Sequence, residues 1–192
     1  MLRQPLEDRV VHITRVSGTV NYPCSFILVC AMNPCKCGYY GHATKACTCT
    51  PKARLAYTAK ISGPLLDRID IHVEVPALDY NELSRTEPAE PSAEIRSRVI
   101  AARAFAAART EGALTCNGLM TPADIRRFCR MDDAGGRLMQ TAYDKFALSA
   151  RAYDRILKVA RTAADFDKSE IIRKEHIGLA LQLRSMSKKY WQ

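Results

Sequence analysis

Four cysteines in two close pairs constrain this chain more than any other feature. They read Cys35-Lys36-Cys37 and Cys47-Thr48-Cys49, a C-x-C-x9-C-x-C spacing. Four thiolates about 2.3 Å from one ion would complete a closed tetrahedral zinc site. The loop between the pairs is polar and contains Gly38 and Gly41, so it cannot order itself by packing. A metal would supply that order, because its binding free energy becomes folding free energy. The same spacing also fits four reduced thiols on an open loop, and His42 could replace one cysteine. The other cysteines, Cys24, Cys30, Cys116 and Cys129, fall on apolar or helical stretches and are expected to be small buried hydrophobes.

The pairs follow directly on an apolar run, Phe26-Ile27-Leu28-Val29-Cys30-Ala31-Met32, that ends in Asn33. A continuous run of this kind predicts a strand covered on both faces. Ligands of open α/β sheets bind at strand ends, so the Asn33 amide is a candidate contact. An Asn-Pro step is also an ordinary way to end a strand.

Upstream, Val11 and Ile13 alternate with His12 and Thr14. After Ser17-Gly18 the alternation resumes at Val20 and Tyr22, which predicts a hairpin over residues 9–24. A short helix is expected over 52–60 and ends at Ser62-Gly63-Pro64. Ile69, Ile71, Val73 and Val75 then alternate with acidic and polar residues, predicting a half-buried strand before Pro76. Arg68 stands just before that strand. Flanked by Asp67 and Asp70, it reads as a structural ion pair, or as a loop arginine able to neutralise phosphate in a neighbouring subunit.

Residues 84–92 contain two prolines and no core-forming residues, which marks a linker. Beyond it the periodicity is helical. Ser92 is expected to cap a helix to about Arg109, and Thr121-Pro122-Ala123-Asp124 starts another with a capping-box pattern. Further helices are predicted over 132–146, 149–165 and 174–187. In the fourth of these five helices, starting at Ser149, the residues Tyr153, Ile156, Leu157, Ala160 and Ala164 make one apolar face. Arg151, Arg155, Lys158 and Thr162 make the opposite one. That stripe is either a solvated surface or a phosphate contact, for which the arginine fork suits two oxygens.

Bulk properties narrow the classes further. The 192 residues carry 29 Lys+Arg against 20 Asp+Glu, a net charge of +9, which favours an anionic partner. No stretch reaches the ~18–20 apolar residues that span a membrane, and the acidic start is not a signal peptide. A cytoplasmic location is expected, where cysteines are metal ligands or free thiols rather than disulfides.

Taken in order, these blocks resemble the magnesium-chelatase-like AAA+ ATPases of the competence protein ComM/YifB family. The blocks are Leu2-Arg3-Gln4-Pro5-Leu6-Glu7-Asp8, Ala31-Met32-Asn33-Pro34-Cys35 with Cys37-Gly38-Tyr39-Tyr40, and Ser62-Gly63-Pro64-Leu65-Leu66-Asp67-Arg68-Ile69-Asp70. Leu148-Ser149-Ala150-Arg151-Ala152-Tyr153 and Ile156-Leu157-Lys158-Val159-Ala160-Arg161-Thr162 complete the match. The resemblance implies an α/β plus all-α organisation. Residues 1–83 would be the C-terminal part of an AAA+ P-loop core, 84–92 a linker and 93–192 a helical lid. It implies that Asn33 is sensor 1, Arg68 a trans-acting arginine finger, Arg151 the sensor-2 arginine, and Arg155 a neighbouring nucleotide contact. The hairpin would be the one that faces DNA in the pore of related rings. ATP with Mg²⁺, a homo-hexamer and DNA branch migration during competence are the implied cofactors, assembly and role.

The sequence contains no G-x-x-x-x-G-K-[ST] loop and no apolar run ending in Asp-Glu to hold Mg²⁺. In the family both precede the LRQPLED block. The chain is therefore expected to be a C-terminal portion that does not hydrolyse ATP alone. Two other classes fit the same residues. One is a zinc-stabilised nucleic-acid-binding module. The other is an adaptor that docks on an intact ATPase and lends it Arg68.

Overall fold

The computed structural model describes residues 3–42, 44–76, 80, 84 and 88–191. Residues 85–87 of the expected linker lie outside the described residues. The chain divides into two compact units: Met1–Ile69 with Ser187–Gln192, and Asp70–Met186.

In the first unit, helix α1 (Arg3–Asp8) ends where Arg9 takes a positive φ of 55°, its N–H bonded back to Pro5 O at 3.1 Å. The chain then enters the expected hairpin. Strand β1 (Val10–Arg15) pairs antiparallel with β2 (Gly18–Pro23), from Val10 opposite Pro23 to Arg15 opposite Gly18. Gly18, at φ +136°, provides the backbone geometry that closes this tight turn. One face pairs His12 with Asn21 and Thr14 with Thr19, the two threonine hydroxyls 3.1 Å apart. The other pairs Val11 with Tyr22 and Ile13 with Val20. Every residue of β2 is exposed, whereas Val10 and Val11 at the start of β1 are half-buried.

The expected strand over 26–32 does not form. That segment has no ladder among the described residues, and Ile27 and Val29 are 90% and 86% exposed. The only sheet described is the hairpin. Apolar, β-branched composition makes a segment fit for a sheet, but a strand exists only beside a second strand that satisfies its backbone groups. Helix α2 (Pro51–Thr58) follows, capped by Thr50, whose hydroxyl accepts from Ala53 N at 3.2 Å. Ser62-Gly63-Pro64 then starts a short helix, α3 (Gly63–Leu66), with proline in its first turn.

The expected strand after Arg68 is likewise corrected. Ile71, Val73 and Val75 are exposed, and His72 N–H bonds to Leu183 O at 2.6 Å on a helix instead of to a strand.

The second unit is helical. It contains α4 (Ser92–Arg109), a 3₁₀ turn (Asn117–Leu119), α5 (Pro122–Phe128), α6 (Asp133–Phe146), α7 (Ala150–Phe166) and α8 (Lys174–Trp191) as far as Met186. Helix α4 starts at the expected cap itself: Pro91 is its N-cap and Ser92 already lies inside. The capping box of α5 forms as expected, with Thr121 Oγ accepting from Asp124 N at 3.2 Å and Asp124 accepting from Thr121 N at 2.9 Å. Asp132 and Ser149 cap α6 and α7 by single side-chain bonds, accepting from Gly135 N and Ala152 N.

The core of this unit gathers Met139 from α6, Ile156, Leu157, Ala160 and Ala164 from α7, and Ile177 and Ala180 from α8. A charged network is embedded in it. Asp165 accepts from Arg161 Nε at 3.1 Å, Arg109 Nη2 at 3.0 Å and Asn117 Nδ2 at 2.6 Å. Arg161 is fully buried, and burial pulls its pKa down while Asp165 supports its charge. Its other donors reach Glu170 O at 2.8 Å and Ser169 O. The network therefore joins α4, the 3₁₀ turn, α7 and the α7–α8 connection.

Candidate functional site

The four paired cysteines come together in the first unit. Their sulfurs lie within 4.8 Å of one another. Cys35 Sγ is 3.3 Å from Cys37 Sγ and 3.7 Å from Cys47 Sγ, and Cys37 is 3.6 Å from Cys47. A tetrahedral Zn–S₄ centre with ~2.3 Å bonds requires sulfurs about 3.8 Å apart, so the donor set fits zinc. All four are free thiols.

The local backbone explains the convergence. Residues 35–38 form a tight turn, with Gly38 N–H bonded to Cys35 O at 3.0 Å. Gly38 has a φ of +85°, a conformation glycine adopts without strain. The second pair is anchored by α2 through its Thr50 cap and by Arg54, which donates to Cys49 O at 2.9 Å. His42 is not part of the group. Its Nδ1 accepts from Thr44 N and Lys45 N, both at 3.2 Å, and shapes the loop between the pairs.

The turn also aims backbone donors at sulfur. The Tyr39 N–H holds the Cys37 thiol down at about 5, against its desolvation. Burial and Cys37 push Cys35 up, but the Tyr40 N–H, Cys47 and the Gly38 N–H together bring it below the ordinary thiol value. Cys49 accepts the Cys37 N–H, which lowers it. The Cys37 side chain, desolvation and Cys35 outweigh that donor and push it up to about 11. Negative charge therefore collects first at Cys37, as a cation site requires.

Around the cysteines lies an aromatic and cationic rim. Lys45 sits 5.1 Å above the Tyr39 ring and Arg54 sits 4.5 Å from the Tyr40 ring centre. The remaining cysteines do not all behave as expected: Cys129 is buried, Cys24 is half-buried, and Cys30 and Cys116 are exposed.

Asn33 is exposed, and its amide lies beside Gly38, 3.9 Å from where a Cβ there would sit. It thus borders the cysteine turn. Arg68 is drawn in rather than presented, donating to Glu7 and, at 2.7 Å, to Pro64 O. In the second unit, Arg151 is exposed in the first turn of α7. Arg155, one turn on, pairs with Asp70 Oδ1 at 2.5 Å. Lys158 Nζ donates to Gly118 O at 3.3 Å, and Thr162 links to Asn117, so much of the expected cationic stripe is tied into its own unit. The sequence did not single out Glu7, whose only signal is its place in the LRQPLED block, and it set Asp70 beside Arg68, whereas Asp70 pairs with Arg155.

Residues 1–83 match the family described as magnesium chelatase, subunit ChlI, and residues 89–184 match magnesium chelatase, subunit ChlI C-terminal. The uncharacterized protein YifB of Escherichia coli is 37% identical over 189 residues, covering 97% of this chain and 36% of the relative. The competence protein ComM of Haemophilus influenzae is 37% identical over 186 residues, covering 96% and 36%. A Mycobacterium tuberculosis protein is 37% identical over 169 residues, covering 85% and 32%. The chain thus spans about a third of the length of these relatives.

Proposed function

Because this chain belongs to the magnesium chelatase family, we propose that it works as the sensing and trans-acting portion of a ComM/YifB-like AAA+ ATPase directed at DNA. The observation that carries this reading is the order of the two family matches, 1–83 followed by 89–184, with Asn33 and Arg68 in the first and Arg151 in the second. In this reading Asn33 orients the attacking water as sensor 1. Arg68 neutralises charge developing on the γ-phosphate of ATP held by a neighbouring subunit, and Arg151 contacts the nucleotide as sensor 2. Arg155 joins that contact when it leaves Asp70. Assembly is a homo-hexameric ring, in which the largely exposed hairpin faces DNA.

The residues offered to the nucleotide are arginines and one amide. The 192 residues contain no phosphate loop and no Asp-Glu pair for Mg²⁺. ATP turnover by this chain alone is therefore not expected. Zinc fits the four-cysteine set, where it would supply a rigid cross-link between the 35–37 turn and the start of α2.

The test is to mix the chain with an intact ComM-type relative and measure ATP hydrolysis. The rate is expected to change, and Arg68→Ala to abolish the change, since an arginine finger contributes ~10³ to 10⁵ in rate. An unchanged rate, or an equal response to Arg68→Ala, would refute the assignment.

A second reading, a zinc-stabilised nucleic-acid module, is favoured by the Tyr39, Tyr40, Lys45 and Arg54 rim. It predicts binding that weakens with salt at a log-log slope of about −0.7 per phosphate on single strands.

A further inference from the structure

Arg68 has the residue type of a phosphate contact, but its surroundings withhold it. Only 13% of its side chain is exposed. One arm of the guanidinium donates to Pro64 O at 2.7 Å, and the other to the Glu7 carboxylate. Glu7 reaches it from α1, 61 residues earlier in the chain. It is placed there by a short helix that Arg9 ends at positive φ before β1 begins. The chain has 29 basic against 20 acidic side chains, so carboxylates are the scarcer partner and the pairing is not a consequence of abundance.

A carboxylate and a phosphate compete for the same planar donor fork. We propose that Glu7 is a latch: it occupies Arg68 as a phosphate surrogate and withholds it until the terminal phosphate of a neighbour's nucleoside triphosphate displaces it. The gating consequence rests on the reading of Arg68 as trans-acting; the latch itself does not. Arg155 repeats the arrangement in the second unit, where Asp70 occupies a guanidinium that the same reading assigns to nucleotide. Exchange of one anion for another keeps the arginine paired in both states, and the displaced Glu7 carboxylate, 34% exposed, is met by water. It also lowers the fraction of chains competent to act, by about threefold for a part-exposed ion pair.

The first arm of the test uses the 192-residue chain alone. Arginines are labelled with phenylglyoxal, and the rate at each site is read by peptide mass mapping. Glu7→Gln is expected to speed labelling of Arg68 about threefold, with exposed Arg137 as an unchanged reference. Equal Arg68 rates in both proteins overturn the latch. If Glu7→Gln also speeds labelling of half-buried Arg54, which donates to Cys49 O in the same unit, the fold has loosened. Glu7→Asp, which keeps the charge and shortens the reach, then decides by the same criterion.

The second arm repeats the mixed ATPase measurement. Glu7→Gln is expected to raise the effect of the chain about threefold, and Arg68→Ala to silence it in both backgrounds. An effect of the wild-type chain with no gain from Glu7→Gln overturns the gate but leaves the functional reading standing. No effect from any version overturns the trans-acting role of Arg68 and the gate together.

Discussion

The two units are held together by different physics. Among the described residues of the first, only Cys35, Thr58 and Leu66 are buried. Its order comes from a two-strand ribbon, the Arg68–Glu7 pair and four converging thiols. The second unit has a continuous core running from Met120 to Ala180, with helices capped at Thr121, Asp132 and Ser149. A small unit that buries little apolar surface needs a cross-link or a metal, whereas a helical unit with a packed core does not. The proposed chemistry follows the same division. The first unit carries groups whose positions depend on a fold-back or a metal, and the second presents Arg151 from a rigid helix.

Metal removal should separate the units most sharply. Zinc is expected at one ion per chain by native mass spectrometry, and Cys35→Ser with Cys47→Ser should abolish it. Structural zinc commonly contributes about 10 kcal/mol or more to such a unit. Chelation should therefore raise hydrogen exchange across 35–58 while leaving the melting of the helical unit in place. Equal loss of protection in both units would break the comparison. Acid should act in the same direction as chelation: zinc needs thiolates, so the metal is released as pH falls and protons compete for the sulfurs.

The next effect belongs to the helical unit. Asp165→Ala would strand two guanidinium groups, one of them fully buried. A loss of about 3–5 kcal/mol is expected by urea unfolding. The cysteine unit should keep its metal, and loss of metal in this variant would show that the units are not energetically separate.

The smallest effect sharpens the contrast in capping. Thr121→Ala should cost about 1 kcal/mol in the helical unit. Asp124 gives it a pH signature. The Thr121 hydroxyl and N–H hold its carboxyl below the usual range, so the folded value lies under the unfolded one. Its stabilising contribution is present above the ordinary carboxylate value and fades as pH falls through the lowered one. Asp124→Asn should flatten that part of the acid melting profile.

What was legible in the sequence was local. The hairpin could be read because alternation and a Ser-Gly turn act over a few residues. The capping box at Thr121 and the buried face of α7 could be read because their partners lie within one or two turns. Short spacing likewise exposed the cysteine set, since C-x-C brings two thiols near each other in almost any turn. The strands expected over 26–32 and after Arg68 failed because strand formation depends on a neighbour outside the segment. Ser92 lost its expected cap role to Pro91, which takes the extended conformation of an N-cap while Ser92 is already helical. Cys30 and Cys116 are exposed because burial is a property of the surroundings and not of the residue.

By itself, then, the sequence determined the family, the paired-cysteine set, the helical character of the second unit and the residue types able to meet phosphate. Only the tertiary structure decided their present state: Arg68 held by Glu7, Arg155 by Asp70, and His42 engaged in its loop instead of joining the cysteines. Those pairings span 61 and 85 residues for the two arginines. Charge and spacing say that an arginine wants an anion, but which carboxylate reaches it is set by how distant segments fold back.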